Sequence, residues 1–429
     1  MVHRGVADPP VTSSPVAIVG AGLAGLTCAV ELTSAGLEVV VLERSDGVGG
    51  RVRTDEVEGY RLDRGFQVLL TAYPEAERLL DYAALDLRRF FPGAVIREGG
   101  RFRRLADPWR RPLAGVAGVL RGVVSPFDAV RMARLRASVR RGTLAEQRAR
   151  PERPTIERLW AEGFSESIVE QFFRPFFGGV FLDPELATSD RQLEFVFRMF
   201  AAGDIAVPAR GMGEIPHQLA RRLPGGSVRL GARVEAVDDG VVRLADGQRI
   251  EAGAVVVAAD ASDARQLVDV PGGARWRGVT CLYFAADQPP MTGPTLVLDG
   301  SGGGPVNNLC VMSQVSAAYA PEGRSLVSVT VLGLPMQDDD RIESEARSQL
   351  RDWFGSPVDG WRHLRTYRIE RALPDQSPPT PGGGALATRM GERLYICGDH
   401  RADGSINGAM ASGRAAADAV LADLGAGPR

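Results

Sequence analysis

The chain has 429 residues, 44% hydrophobic and 24% charged, the balance of a globular protein long enough for two or three domain-sized units and a large buried ligand. Its formal net charge of -2 gives no overall attraction to a polyanion, so nucleic acid is not an expected partner. Every residue of the Lys+Arg class is arginine, which excludes Schiff-base and lysine-base chemistry because both need an amine.

In chain order, the opening stretch, residues 1–15, has no apolar h-region, and nowhere do about 18 uninterrupted apolar residues occur. Neither a signal peptide nor a membrane span is expected, and the localisation this implies is cytoplasmic. Residues 16–20 (VAIVG) form an apolar run entering a glycine turn, Leu23 to Ser34 reads as a helix, and Glu38 to Leu42 as a second strand: one βαβ unit. Between strand and helix lies a GxGxxG, Gly20-Ala21-Gly22-Leu23-Ala24-Gly25. Its first glycine makes the turn, its second admits a pyrophosphate to the backbone, and its third packs helix on strand. The helix N-terminus then faces the phosphates. Glu43, about 20 residues on, is placed to accept hydrogen bonds from ribose hydroxyls and to repel a 2′-phosphate. Arg44 follows, then a second glycine turn with arginines placed to meet phosphate, Gly47-Val48-Gly49-Gly50-Arg51-Val52-Arg53-Thr54.

From about 70 to 205 the pattern is helical, with abundant arginine from Arg88 to Arg153. Leu113 to Val124 (LAGVAGVLRGVV) offers an apolar stretch for shallow membrane insertion. Ser125-Pro126-Phe127-Asp128 is a helix start with a capping serine, proline in the first turn and an acid at N3. Arg131, Arg134, Arg136, Arg140 and Arg141 surround that helix instead of marking one face, so a solvated surface helix is the competing reading. The word FFRPFFGGVF, Phe172 to Phe181, reads either as lining of a lipophilic passage or as plain core. Its Arg174 must bridge to a carboxylate or meet an anionic substrate group.

From Ser227 short β-runs return, with turns at Asp239-Gly240 and Asp246-Gly247 and a strand from Ala254 to Ala259. Residues 275–370 give the strand-like runs VTCLYFAA, TLVLDG and SLVSVTVLG and a helix near Arg341 to Trp353. The glycine runs at 301–305 and 381–385 lack a following helix and acid and read as loops. The strand LYICGD and a helix from Asn407 to Leu424 close the chain. Cys28, Cys281, Cys310 and Cys397 never form a CxxC pair and read as buried free thiols. His3, His217, His363 and His400 are scattered, so no metal site is expected.

The stretch VAIVGAGLAGLTCAVELTSAGLEVVVLERSDGVGGRVRT resembles the N-terminal signature of the FAD-dependent amine oxidase, protoporphyrinogen oxidase and phytoene desaturase superfamily, and LYICGDHRADGSINGAMASGRAAA resembles its closing motif. LDRGFQVLL (Leu62 to Leu70) is similar to the strand beside the isoalloxazine, and ARVEAV to the segment whose Val234 backbone meets adenine. GFQVLLTAYPEA, FFRPFFGGVF and HLRTYRIERALP are most similar to phytoene-desaturase-like FAD oxidoreductases. The resemblance spans nearly the whole chain. It implies an α/β fold with a Rossmann-type FAD-binding domain of the glutathione-reductase-like class, built from about 1–70, 205–270 and 386–429. A discontinuous α+β substrate domain takes 71–204 and 271–385. It further implies non-covalent FAD held by Gly20, Ala21, Gly22, Leu23, Ala24, Gly25, Glu43, Arg44, Gly49, Gly50, Arg51, Gly65, Phe66, Gln67, Val68, Val234, Gly398, Asp399, Ile406, Asn407 and Met410. Asp399 would bind the ribityl chain, and the helix opening at Gly408-Ala409-Met410 would aim its amides at the flavin's pyrimidine edge. Phe173, Arg174, Phe177 and Tyr367 are the substrate-side candidates.

The activity implied is that of an FAD-dependent oxidoreductase removing hydride from a largely apolar small molecule, as desaturase, dehydrogenase or oxidase, with oxygen or a quinone as electron acceptor. No second GxGxxG is present for NAD(P)H. Amine oxidases of the superfamily place a lysine near the flavin N5; rough alignment of VTCLYF puts Thr280 there, which argues against typical amine oxidation. A redox-neutral flavin-dependent isomerase stays open. A non-enzymatic escort protein is disfavoured because Asp399 and the NGAMASG helix are intact. The same resemblance leaves peripheral membrane contact open, and no catalytic residue or oligomeric state is assigned.

Overall fold

Strands drawn from both ends of the chain share one parallel sheet. The computed structural model describes residues 14–120, 122–269, 275–380 and 386–425; His3 and the loop expected at 381–385 lie outside them. The sheet has the order Val228–Arg229, Val39–Leu42, Val16–Val19, Ala254–Val257, Leu394–Ile396, with all neighbours parallel. Its three central strands are unbroken runs of β-branched and small apolar residues because both faces are covered. On one face Val16, Ile18, Val39, Val41, Ala254 and Val256 meet the main core, which includes the helices Leu23–Ser34 and Ile406–Asp423. On the other, Ala17, Val19, Val40, Leu42 and Val255 meet Val242 and Leu244 of the meander Val234–Asp238, Val241–Leu244, Arg249–Glu251. The two helices touch backbone to backbone. A Cβ added at Gly413 would lie 2.2 Å from the Ala24 carbonyl oxygen.

A second, seven-stranded sheet runs Arg362–Pro374, Trp276–Ala286, Ser325–Leu332, Val306–Val311, Leu296–Asp299, Gly93–Glu98, Arg101–Ala106. It is antiparallel except where Leu296–Asp299 runs parallel to Gly93–Glu98. The helix Asp339–Phe354 packs Ile342, Ala346 and Leu350 on one face, while Phe172 and Phe176 reach Ile96 and Leu298 on the other. A small sheet, Leu69–Leu70, Ile205–Pro208, Leu87–Arg89, links the two regions. The four cysteines are buried free thiols.

Besides the short strand Leu87–Arg89, one longer segment departs from the expected helical character of 71–204. Gly93–Glu98 and Arg101–Ala106 form a hairpin joined to the large sheet. Its two-residue loop, Gly99-Gly100, has φ of +53° and +77°, the left-handed pair that matches strand twist and that glycine adopts without strain.

Helix Pro126–Val139 begins as the sequence indicates, with the Ser125 hydroxyl accepting from Asp128 N–H at 3.0 Å. Gly413→Ala is expected to destabilise the fold by about 1–3 kcal/mol through overpacking against immovable backbone. Gly360→Ala, with nothing within 4 Å of the added carbon, serves as control in urea unfolding.

Candidate cofactor and substrate site

The glycine turn leaves the parallel sheet at its carboxyl edge. Gly20 has φ +110°, and a Cβ there would lie 2.8 Å from Ala258 O; at Gly25 it would lie 2.0 Å from Gly20 O. The helix can start this close to the strand only with glycine at both places. Gly22 caps the helix Leu23–Ser34 without any side-chain acceptor and faces open space, so the N–H groups of Leu23, Ala24 and Gly25 are left for a ligand. The second turn lies against the first. Gly49 N–H donates to Ala21 O at 2.8 Å, and Gly50 (φ +59°) lies beside Gly22.

Glu43 is buried and does structural work that the sequence did not reveal. One carboxylate oxygen accepts from Ala21 N–H at 2.8 Å, the other from the N–H and hydroxyl of Ser45 at 2.9 and 2.8 Å. The carboxylate thereby fixes the turn, and the oxygen bonded to Ala21 keeps one lone pair for a ribose hydroxyl while the other is filled by Ser45. Ala232 N–H donates to Glu43 O, which brings the segment leading into Val234 alongside. Arg44 points elsewhere, its guanidinium 2.6 Å from Asp263 on the helix Ala261–Leu267.

The three motif regions meet at Arg51. Its guanidinium donates to Asp399 at 2.7 Å and to Ala372 O at 3.0 Å, and sits 5.5 Å from the Trp276 ring centroid. Burial alone would lower its pKa, but the Asp399 carboxylate outweighs that and the net shift is upward. Gln67 donates to the carbonyls of Arg51 and Arg64, both at 2.9 Å. That fixes the stretch Gly65 (φ +87°), Phe66, Gln67, Val68 next to the ion pair. On the far side, Gly398 (φ +149°) donates to the Ser412 hydroxyl at 2.9 Å and leaves room for the His400 ring, 2.5 Å from where a Cβ would sit. Both His400 ring nitrogens are buried and unpartnered among the described residues, and burial pushes its pKa down to about 4, so the ring is neutral at pH 7.

The closing helix corrects one expectation. Ser405 accepts from Gly408 N–H at 3.0 Å, and Ala409 N–H bonds to Ser405 O, so neither amide is free for a flavin. The N–H groups the helix leaves open are those of Ile406 and Asn407. Asn407 accepts from Glu75 N–H at 3.1 Å, and Met410 is fully buried.

On the substrate side, Phe173 and Phe177 are fully buried core residues, so the core reading of the aromatic word holds for them. Arg174 is paired, donating to Glu170 at 2.7 and 2.9 Å and to Pro184 O at 2.5 Å; of its two readings the carboxylate bridge is the one seen. Tyr367 donates to Asp55 at 2.7 Å and packs edge-on against Tyr283. Asp63 was legible only as part of a matched word. It is buried and accepts from Thr54 at 2.5 Å, Tyr319 at 2.7 Å and Met212 N–H at 2.9 Å, and desolvation raises its pKa to about 6.

The two facing glycine turns, the open helix terminus, the Arg51–Asp399 pair and the orphaned His400 nitrogens fit a dinucleotide carrying a polar ring system. The model described as flavin containing amine oxidoreductase matches residues 23–421. The chain belongs to this family. It is an FAD-dependent oxidoreductase with an amine-oxidase-like FAD-binding fold. A coproporphyrinogen III oxidase of Propionibacterium freudenreichii subsp. freudenreichii is 24% identical over 94% of this chain and 93% of that protein. Protoporphyrinogen oxidase 2 of Arabidopsis thaliana is 39% identical over 21% of this chain and 19% of its own length. Among solved structures, an oxidoreductase from Methanosarcina mazei superposes with a TM-score of 0.71 at 18% identity, covering 94% of this chain and 99% of that one. A putrescine oxidase bound to putrescine gives 0.70 at 20% identity, covering 95% and 99%.

The strand Trp276–Ala286, where the resemblance to amine oxidases would place a lysine, has none. Thr280 is buried and its hydroxyl donates to Gly333 O at 3.1 Å, so it offers no base. Asp63 makes the region pH-sensitive in a definite direction. Its folded pKa lies above the unfolded value, so its contribution to stability is complete below about pH 4 and is lost as pH rises through about 6. Asp63→Asn keeps the acceptor for Met212 and removes the charge. Its stability relative to wild type should rise by roughly 2–3 kcal/mol between pH 4 and pH 8, read by denaturant unfolding at both.

Proposed function

We propose that the flavoenzyme removes hydride from a largely apolar small molecule held against non-covalently bound FAD, with oxygen or a quinone as final electron acceptor. The observation that carries the reading is the Arg51 junction, where the guanidinium, the Gln67 amide and the Asp399 carboxylate hold the N-terminal turn, the Leu62 to Leu70 segment and the closing motif together. In this reading residues about 1–70, 205–270 and 386–429 form the FAD domain, and 71–204 and 271–385 the substrate domain. Leu23, Ala24 and Gly25 amides hold pyrophosphate, Glu43 the ribose, Asp399 the ribityl chain, and Ile406 and Asn407 amides the pyrimidine edge. FAD supplies the two-electron acceptor. The protein's part is to orient the substrate and exclude water, for which the partly exposed Phe66 and Tyr367 give an aromatic wall. No lysine serves as base, and the length-wide likeness to a coproporphyrinogen III oxidase favours oxidation of an unsaturated carbon framework over that of a simple amine.

Contact with a membrane surface is the second part of the proposal. Leu113, Leu120 and Phe127 are 89%, 81% and 75% exposed, and arginines flank the two helices that carry them. That combination suits shallow insertion into an anionic leaflet. No described helix is long and apolar enough to cross a membrane.

Purified protein is expected to be yellow and to release FAD on denaturation; colourless protein that FAD does not reconstitute would overturn the reading. Glu43→Ala should weaken FAD retention by about 1–3 kcal/mol, the range for hydrogen bonds to a charged acceptor, measured by apoprotein titration. In flotation with anionic liposomes at low salt, a substantial fraction should float and be released by high salt. Full recovery in the unbound fraction under both conditions would remove the membrane part.

A further inference from the structure

A cavity of about 900 Å³ opens on the same side of the molecule as the hairpin Gly93–Glu98/Arg101–Ala106, lined by Arg89, Arg104, Arg110 and Arg111 with a single carboxylate, Asp204. Asp204 is already spent on two of them, 3.0 Å from Arg89 and hydrogen-bonded to Arg110. Arg104 and Arg111 have no carboxylate within 4 Å among the described residues; Arg104 lies 5.1 Å over the Phe91 ring. The remaining wall is apolar, from Phe90, Phe91, Pro92 and Pro294, and it is held in shape by Phe91 N–H donating to Pro294 O at 2.7 Å. Phe90 packs edge-on against Phe66, the residue placed beside the flavin, with ring centroids 6.2 Å apart.

Asp107 also lies 3.6 Å from Arg110, so among the described residues Arg104 and Arg111 are the two guanidiniums left without a carboxylate beside the apolar surface. A guanidinium presents parallel donors that match carboxylate and phosphate oxygens in pairs. We propose that this cavity binds the anionic end, carboxylate or phosphate, of an amphipathic small molecule, through Arg104 and Arg111, with the apolar part lying along Phe91, Pro92 and Pro294. Identifying that molecule as the substrate rests on the flavin reading above, through the Phe90–Phe66 contact; the binding itself does not.

The test is calorimetric titration of the holoprotein with dodecanoate, dodecyl phosphate and dodecanol, each below its aggregation threshold, for wild type and for Arg104→Ala/Arg111→Ala. Both side chains are exposed, so the fold is retained, and unchanged flavin content and circular dichroism verify this. Either anion should bind at least about tenfold more tightly than the alcohol, and the double variant should lose about tenfold or more for anions alone, the loss of charge-assisted hydrogen bonds. A preference for dodecyl phosphate over dodecanoate marks a phosphate end, and the reverse a carboxylate. Equal binding of anions and alcohol, or undiminished anion binding by the double variant, would overturn the site. If an anion binds but leaves the flavin absorption band unshifted, its identification as substrate falls.

Discussion

The ion pair between Arg51 and Asp399 joins residues 348 positions apart and is the contact on which the composite site depends. Taking a carboxylate out of water costs several kcal/mol unless its lone pairs are filled. Here Asp399 receives Arg51 and the His400 N–H, while Arg51 spends a further donor on Ala372 and stacks over Trp276. The pair is therefore less a source of net stability than a device for register. Removing either member would strand the other in a poorly solvated place, and the closing motif would lose its alignment with the second glycine turn.

Close backbone contact does for the scaffold what this pair does for the site. The first and last helices meet where Gly413 faces Ala24, and the strands they follow lie in one sheet flanking Ala254–Val257. In the assignment proposed above, the walls of the cofactor site come from both ends of the chain, so ordering either end is stabilised only when the other is in place. A ligand that binds only this assembled state stabilises the entire arrangement by mass action.

How much of this was legible follows from the range of the signals. The helix Leu23–Ser34, the strands on either side and the capping of Pro126–Val139 are written in local periodicity and local side chains, and they appear where the sequence places them. The closing helix lies one residue earlier than expected, because Ser405 caps it. With Ser405 occupying the Gly408 and Ala409 amides, the free ones are those of Ile406 and Asn407 and not the expected Gly408-Ala409-Met410. The hairpin at 93–106 went unread amid arginines, although Gly99-Gly100 between alternating residues is a turn signal. What sequence spacing cannot carry is pairing across long separations: Arg44 with Asp263, Arg51 with Asp399, and Tyr319 with Asp63 are set only by the tertiary fold.

The lysine-free composition and the Asp63 cluster together narrow what the protein contributes to chemistry. A strand with buried Thr280, Cys281 and Tyr283 offers no group ionised as a base near neutral pH: burial lifts the Cys281 thiol to about 11 and pushes the Tyr283 phenol well above its ordinary value. Asp63, tied to that strand by the Tyr283 hydroxyl, titrates at about 6, but it is buried and three of its four lone-pair positions are filled by Thr54, Tyr319 and Met212. In the function proposed above, hydride departure would therefore rely on orientation and dryness more than on a strong base from the protein.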